Sequence, residues 1–178
     1  MNITIMSRSE VVIHSCKDNI DECIIISISS RNQKKPNIFK NHLIKDILYL
    51  NFDDIEEQTE NGVLMNYDDA VKIKEFVDKW KDGISNIVVH CQAGISRSAG
   101  VAFALKRVLN NNLENCFKIP KFAPNMLCYK TTLKGFGIYI TDEECEKLRN
   151  INQLAFNQYM EEDEDGYFAI VNKMIVKE

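Results

Sequence analysis

Short runs of β-branched and aliphatic residues alternate along this chain with segments in which apolar residues recur every three or four positions. The runs are typical of buried strands, and they fall at 3–6, 24–28, 46–52 and 86–89. The helical spacing occurs over about 7–15, 66–83, 99–109, 124–134 and 141–159. Because strands alternate with helices, the pattern predicts an α/β fold with a central, mostly parallel sheet flanked by helices on both faces.

Several residues indicate where the helices begin. Ser7 and Thr141 each stand three residues before a glutamate, which is the spacing of a capping box. Asn66 can cap a helix, and Pro124 suits the first position of another. Residues 30–45 show no clear periodicity, so we expect a loop or an irregular helix there.

Length and composition are those of one globular domain. The chain has 178 residues, of which 45% are hydrophobic and 27% are charged. We therefore expect a single domain over 1–178 that ends, from about 160, in an acidic segment of uncertain structure.

Charge and cysteine content exclude several classes of protein. The formal net charge of −4 argues against a nucleic-acid partner, which would demand broad phosphate neutralisation. The first residues do not resemble a signal peptide, and no apolar stretch is long enough for a membrane span, so we expect a cytoplasmic protein without a membrane partner. The six cysteines form no Cys-x-x-Cys pair, which argues against a zinc ribbon or a disulfide framework. Apart from Cys91, they are expected to be buried as small hydrophobic residues.

The segment most informative about chemistry is 90–98, His90-Cys91-Gln92-Ala93-Gly94-Ile95-Ser96-Arg97-Ser98. It lies between a predicted strand and a predicted helix, where backbone N–H groups of a tight loop and the helix N-terminus can hold an oxyanion. Arg97 can bind two phosphate oxygens at once. Cys91 at the centre of this electropositive loop is expected to have a lowered pKa, and a thiolate beneath a phosphate is a nucleophile toward phosphorus.

This segment resembles the signature of the cysteine-dependent protein tyrosine phosphatases, His-Cys-x-x-Gly-x-x-Arg-Ser, and most closely that of the small dual-specificity branch. The similarity extends over about 46–134. It implies a phosphatase fold with the signature loop at the carboxyl edge of the sheet. It also implies that the backbone of residues 92–97 and the Arg97 side chain bind the substrate phosphate.

The leaving group of such a reaction needs a proton, which a carboxylic acid can supply. Asp53 and Asp54 follow a predicted strand, so they are expected at the same sheet edge as Cys91. By resemblance to the acid loop of the family, Asp54 is the preferred general acid and base. The alternative is that both aspartates only form a solvated turn.

Other residues of the motif have supporting roles in this interpretation. The Ser98 hydroxyl lies within the first helical turn after the loop and is expected to hydrogen-bond the Cys91 sulfur. His90 is expected to point away from the substrate and to hold the loop by hydrogen bonds. Pro124 and Asn125 resemble the family segment that buttresses the loop, and we interpret them as structural.

The substrate class follows from charge. No residue between Cys91 and Arg97 is charged, which disfavours a polyphosphorylated inositol lipid. A phosphorylated protein or peptide is the expected partner, carrying phosphotyrosine and, as an open question, phosphoserine or phosphothreonine. Neither metal nor cofactor is expected, and the oligomeric state stays open. The alternatives are a pseudophosphatase that binds phospho-residues without cleaving them, a phosphatase for a non-protein ester, and a thiol-based reductase or sulfurtransferase.

Overall fold

The computed structural model describes residues 1–110 and 115–162. Within them the chain forms four strands, β1 (Asn2–Met6), β2 (Cys23–Ser29), β3 (Ile44–Asn51) and β4 (Asn86–His90). Five α-helices accompany them: α1 (Arg8–Ser15), α2 (Tyr67–Trp80), α3 (Arg97–Asn110), α4 (Met126–Gly135) and α5 (Asp142–Glu162). The predicted alternation is therefore confirmed. Most of the expected acidic segment, from 163 onward, lies outside the described residues.

All strand pairs of the sheet are parallel, and the strand order is β1-β4-β2-β3. Because the strands are parallel, their carboxyl ends meet at one edge. The residues that follow the four strands at this edge are Ser7, Ser30, Phe52 and Cys91. The topology thus brings together the two predicted sources of chemistry, the loop after β4 and the aspartates after β3.

Both faces of the sheet are covered, as predicted. On one face Ile24, Ile26 and Ile28 pack in a buried cluster with residues of α2 and α3. On the other face Ile25 and Val88 pack with Val11 of α1. Strand β2 is buried along its whole length, which explains why its sequence is almost continuously apolar instead of alternating.

A second apolar cluster joins α3, α4 and α5 behind the sheet. The Phe103 ring makes edge-to-face contacts with the Phe117 and Phe122 rings, with centroids 5.1 and 5.7 Å apart. Arg107 of α3 links the other two helices, because it donates to the Tyr129 hydroxyl of α4 at 3.2 Å and to Glu144 of α5 at 2.7 Å. The long C-terminal helix is therefore attached to the elements that carry the predicted site.

Several predicted helix starts are correct and one is wrong. Ser7 and Asn66 form full capping boxes, and the Thr141 hydroxyl accepts the backbone N–H of Glu144 at 3.1 Å. Pro124 does not open α4, because the side chain of Asn125 caps it by accepting the Cys128 N–H at 2.9 Å.

Among the cysteines the expectation of burial holds at four of the five positions other than Cys91. It is wrong for Cys16, which ends α1 and is exposed to solvent. Residues 30–43 are irregular, in agreement with the loop expectation.

Helices α2 and α4 meet so closely at Gly135 that no side chain fits there. A Cβ at Gly135 would lie 2.8 Å from the Ala70 Cβ and 2.9 Å from its backbone. We predict that Gly135→Ala lowers the free energy of unfolding by about 1–3 kcal/mol through overpacking, measured by urea denaturation. Gly83→Ala is the control, because its nearest neighbour would be 3.8 Å away, and it is expected to change stability by less than about 1 kcal/mol. Equal losses in both variants would contradict the close contact.

Candidate active site

The loop after β4 packs directly against the backbone that connects β1 to α1. Gly94 has φ +73°, and a Cβ there would lie 2.6 Å from both the Met6 carbonyl carbon and the Ser7 nitrogen. The Arg8 N–H also donates to the Gln92 carbonyl at 3.1 Å. Only glycine satisfies both the backbone angle and the lack of space, which accounts for the residue type at the centre of the motif.

Cys91 lies at the start of this loop and is buried, with 2% of the residue exposed. Burial raises the pKa of the thiol, but hydrogen bonds from the Ser98 hydroxyl and N–H and from the Gly94 and Ile95 N–H groups outweigh burial and lower it. The Ser98 Oγ is 3.1 Å from the sulfur. By contrast, burial raises the pKa of the Cys23 thiol to about 11. Of the five thiols whose pKa is shifted, only that of Cys91 is lowered. The loop therefore favours the thiolate form of Cys91.

Arg97 is the first residue of α3 and is 3% exposed. Its Nη1 donates to the Phe52 carbonyl at 2.9 Å and to the Ser30 hydroxyl at 3.0 Å. Its Nε is buried and has no hydrogen-bond partner within the described chain, since the nearest acidic oxygen, Asp54 Oδ2, is 3.7 Å away. The guanidinium is thus fixed along one edge while a donor remains for an oxyanion.

Asp53 and Asp54 have different surroundings. Both oxygens of Asp53 accept backbone N–H groups, from Val63 at 2.9 Å and from Arg31 at 3.4 Å, and the bond from Val63 is the main cause of its lowered pKa. The Asp54 side chain is 39% exposed and turns toward the signature loop. Asp53 therefore holds its loop together, whereas Asp54 is free to face a ligand.

Two side chains orient Asp54. The Ser96 hydroxyl donates to Asp54 Oδ1 at 2.8 Å, and the Asn125 Nδ2 donates to the same oxygen at 3.1 Å. Asn125 is buried and also donates to the Ile55 carbonyl at 3.3 Å. The sequence interpretation treated Asn125 as structural only and missed this contact, because no local pattern relates a helix cap to a loop about 70 residues earlier.

His90 points away from the loop opening and is fully buried. Its Nδ1 donates to the Cys91 carbonyl at 3.3 Å, so in the neutral ring Nε2 accepts the Ser27 hydroxyl at 2.8 Å. Burial lowers the pKa of His90 to about 4, although the bond to Cys91 acts in the opposite direction. The ring is therefore neutral near pH 7 and connects β4 to β2.

The rim of the loop is formed by the remaining predicted residues. The side chains of Gln92, Ala93 and Ile95 are exposed, and the Gln92 side chain accepts from the Gln33 amide at 3.3 Å. A cavity of about 310 Å³ lies beside Ile95, lined by Phe122 and Phe156 among others. The exposed side chains of the loop itself are thus uncharged.

Residues 1–110 and 115–162 contain neither a metal-binding cluster nor a membrane-spanning helix. No cluster of three histidine, cysteine or acidic side chains in these ranges could hold a metal ion. None of the helices in the same ranges is both long and apolar enough to cross a membrane.

The curated relatives include dual specificity protein phosphatase 1 of Mus musculus, which is 31% identical over 109 residues. Its counterpart 1-A of Xenopus laevis is 30% identical over the same length. Over this segment the chain is similar to dual specificity protein phosphatases. No protein-family model matches it.

The extent of these matches is limited. Each covers 60% of this chain but only 27% of the relative. Among solved structures, human tyrosine phosphatase-like serine/threonine/tyrosine-interacting protein matches with a TM-score of 0.55, over 79% of this chain and 94% of that one. At 21% identity this match supports the α/β phosphatase-like fold alone.

The neutral, buried His90 predicts that the stability of the protein depends on pH. Because its pKa falls from 6.5 to about 4 on folding, the unfolded chain binds the proton first as the pH falls. The free energy of unfolding is thus expected to decrease between pH 6.5 and 4, by at most about 1.4 kcal/mol per unit from this residue. Carboxylates with a lowered pKa lose their contribution as the pH falls below their ordinary values, 3.8 for Asp53 and 4.5 for Glu10, so measurements at pH 5 and above lie outside their range. Burial also lowers the pKa of His14, which therefore contributes to the wild-type slope beside His90.

Urea unfolding at pH 7, 6 and 5 tests this prediction. His90→Asn is expected to be less stable at pH 7 but to show a shallower pH dependence. The exposed His42 provides the control, and His42→Asn is expected to keep the original slope. An unchanged slope in His90→Asn would contradict the prediction.

Proposed function

We propose that the protein hydrolyses phosphotyrosine in proteins or peptides through a phospho-cysteine intermediate, with phosphoserine and phosphothreonine as further substrates to be tested. The main support is that one loop joins a cysteine with a lowered pKa to a buried arginine whose Nε makes no hydrogen bond with the described residues. A phosphate bound over that loop is placed for attack by the sulfur. It also satisfies the arginine donor.

In the first step the Cys91 thiolate attacks phosphorus, a sulfur–phosphorus bond forms, and the bond to the leaving oxygen breaks. Asp54 transfers its proton to that oxygen. The phosphate oxygens are held by the loop N–H groups and by Arg97, which stabilise the charge that develops on them. Asp54 is supported in this role by its exposure and by its position next to Arg97.

In the second step water attacks the phospho-cysteine and Asp54 accepts its proton. The sulfur leaves as a thiolate, which the Ser98 hydroxyl at 3.1 Å can stabilise. Nucleophile, oxyanion cradle and acid all come from the chain, so the proposed reaction uses no metal and no cofactor. A chelator should therefore leave the rate unchanged.

The two aspartates provide a direct test of the acid. Asp54→Asn keeps the acceptor for Ser96 and Asn125 but cannot donate a carboxyl proton. We predict that its kcat falls about 100-fold with a phosphotyrosine peptide and only a few-fold with 4-nitrophenyl phosphate, whose leaving group needs little protonation. The alkaline limb of the pH–rate profile should flatten. Asp53→Asn is expected to lower stability without this dependence on the leaving group.

Controls separate the possible outcomes. Cys91→Ser should abolish turnover of both substrates. If the wild-type protein binds the phosphopeptide without any turnover, the enzyme proposal is wrong and the protein is a binding module. If Asp53→Asn shows the leaving-group-dependent loss instead, the acid is assigned to the wrong residue.

Arg97→Lys tests the phosphate site separately. Lysine keeps the positive charge but lacks the planar fork that bonds the Phe52 carbonyl on one edge and leaves Nε on the other. We predict a loss of about 100-fold or more in kcat/KM, or about 3 kcal/mol of transition-state stabilisation. Near-normal kcat/KM in the lysine variant would place the phosphate site elsewhere.

A further inference from the structure

Two residues after Asp54, the side chain of Glu56 joins its own loop to helices α4 and α5. Its Oε1 accepts the backbone N–H of Met126, the first residue of α4, at 2.7 Å. Its Oε2 accepts from Nη2 of Arg149, on α5, also at 2.7 Å. The segment that carries the proposed acid is therefore attached to both C-terminal helices through one carboxylate.

Arg149 is well placed to hold that carboxylate. Its neighbour Leu148 is buried in the second apolar cluster, so this part of α5 is fixed against the body of the protein. The hydrogen bond to Glu56 is the main cause of the raised pKa of Arg149. A weaker ion pair with Glu146, at 3.5 Å, lies on the same helix.

Residues 54–56 are attached to α4 by hydrogen bonds and to α5 by an ion pair. Asp54 and the Ile55 carbonyl both accept from Asn125 at the start of α4. Glu56 binds the start of the same helix and, among the described contacts, is the only one of the three with an ion pair to α5. Removing Arg149 leaves the Glu56 carboxylate with one of its two described hydrogen bonds, and the backbone between Glu56 and Asp54 loses an anchor.

We infer that Arg149 is a positioning residue for the proposed acid, acting through Glu56 to set the place of Asp54 over the signature loop. This inference rests on the proposed function. The pair is partly exposed, with side-chain exposures of 48% and 32%, so it contributes little to stability. Proton transfer is far more sensitive to a small displacement of Asp54 than stability is.

The test is Arg149→Gln, assayed with a phosphotyrosine peptide and with 4-nitrophenyl phosphate. The expected kcat loss is about 3–10-fold with the peptide and less than about 2-fold with the activated ester, with KM unchanged. The melting temperature should change by less than about 3 °C. Arg149→Lys, which keeps a cation near Glu56, should recover part of the lost kcat.

Two variants on the same helix serve as controls. Lys147→Gln removes a cation that pairs only with Glu143 among the described residues, and Glu146→Gln removes the other partner of Arg149. Neither should alter kcat with either substrate.

Glu56→Gln keeps an acceptor for the Met126 N–H but removes the charge, and it should reproduce the leaving-group-dependent loss. The Glu56→Gln, Arg149→Gln double variant should be no slower than the slower single variant.

Asp54→Asn is measured in parallel. If it shows the leaving-group dependence and Arg149→Gln shows none, the positioning inference is wrong and the proposed function stands. Equal losses with both substrates in Arg149→Gln would indicate a general structural role and would also overturn the inference. If Asp54→Asn shows no such dependence, the assignment of the acid fails and the positioning role falls with it.

Discussion

The candidate site depends on one buried guanidinium. Arg97 starts α3 at the end of the signature loop, yet its Nη1 reaches the Phe52 carbonyl after β3 and the Ser30 hydroxyl after β2. These bonds tie together the carboxyl ends of three neighbouring strands. An arginine buried in this way would be costly without partners, so its hydrogen bonds and its nearness to Asp54 define how the strand ends can be arranged.

The pKa of Cys91 depends on a balance between burial and hydrogen bonding. Burial by itself raises the pKa of a thiol, as it does for Cys23 and Cys128. At Cys91 the converging N–H groups and the Ser98 hydroxyl reverse that effect. The hydrogen bonds of the loop, and not the degree of burial, therefore decide the direction in which the pKa of a buried cysteine moves in this protein.

The sequence predicted the features that depend on local patterns. Strand and helix positions follow from periodicity and capping residues. The nine-residue motif places Cys91, Arg97 and Ser98 within one strand–loop–helix segment because the spacing is short. Prediction failed where distant segments meet. The contact of Asn125 with Asp54 and that of Arg149 with Glu56 join residues about 70 and 93 positions apart. Local propensity also predicted the wrong start for α4, at Pro124, because the helix is capped by the Asn125 side chain.

Because Gly94 packs against the Met6–Ser7 backbone, the signature loop can form only after strand β1 is in place. Among the described strands, β1 pairs only with β4, so the first and the last of them must meet before the loop can close. Such a contact between residues far apart in sequence forms slowly compared with a local one. The lowered pKa of Cys91 depends on N–H groups of that loop, so it is a property of the assembled sheet and not of the nine-residue motif by itself.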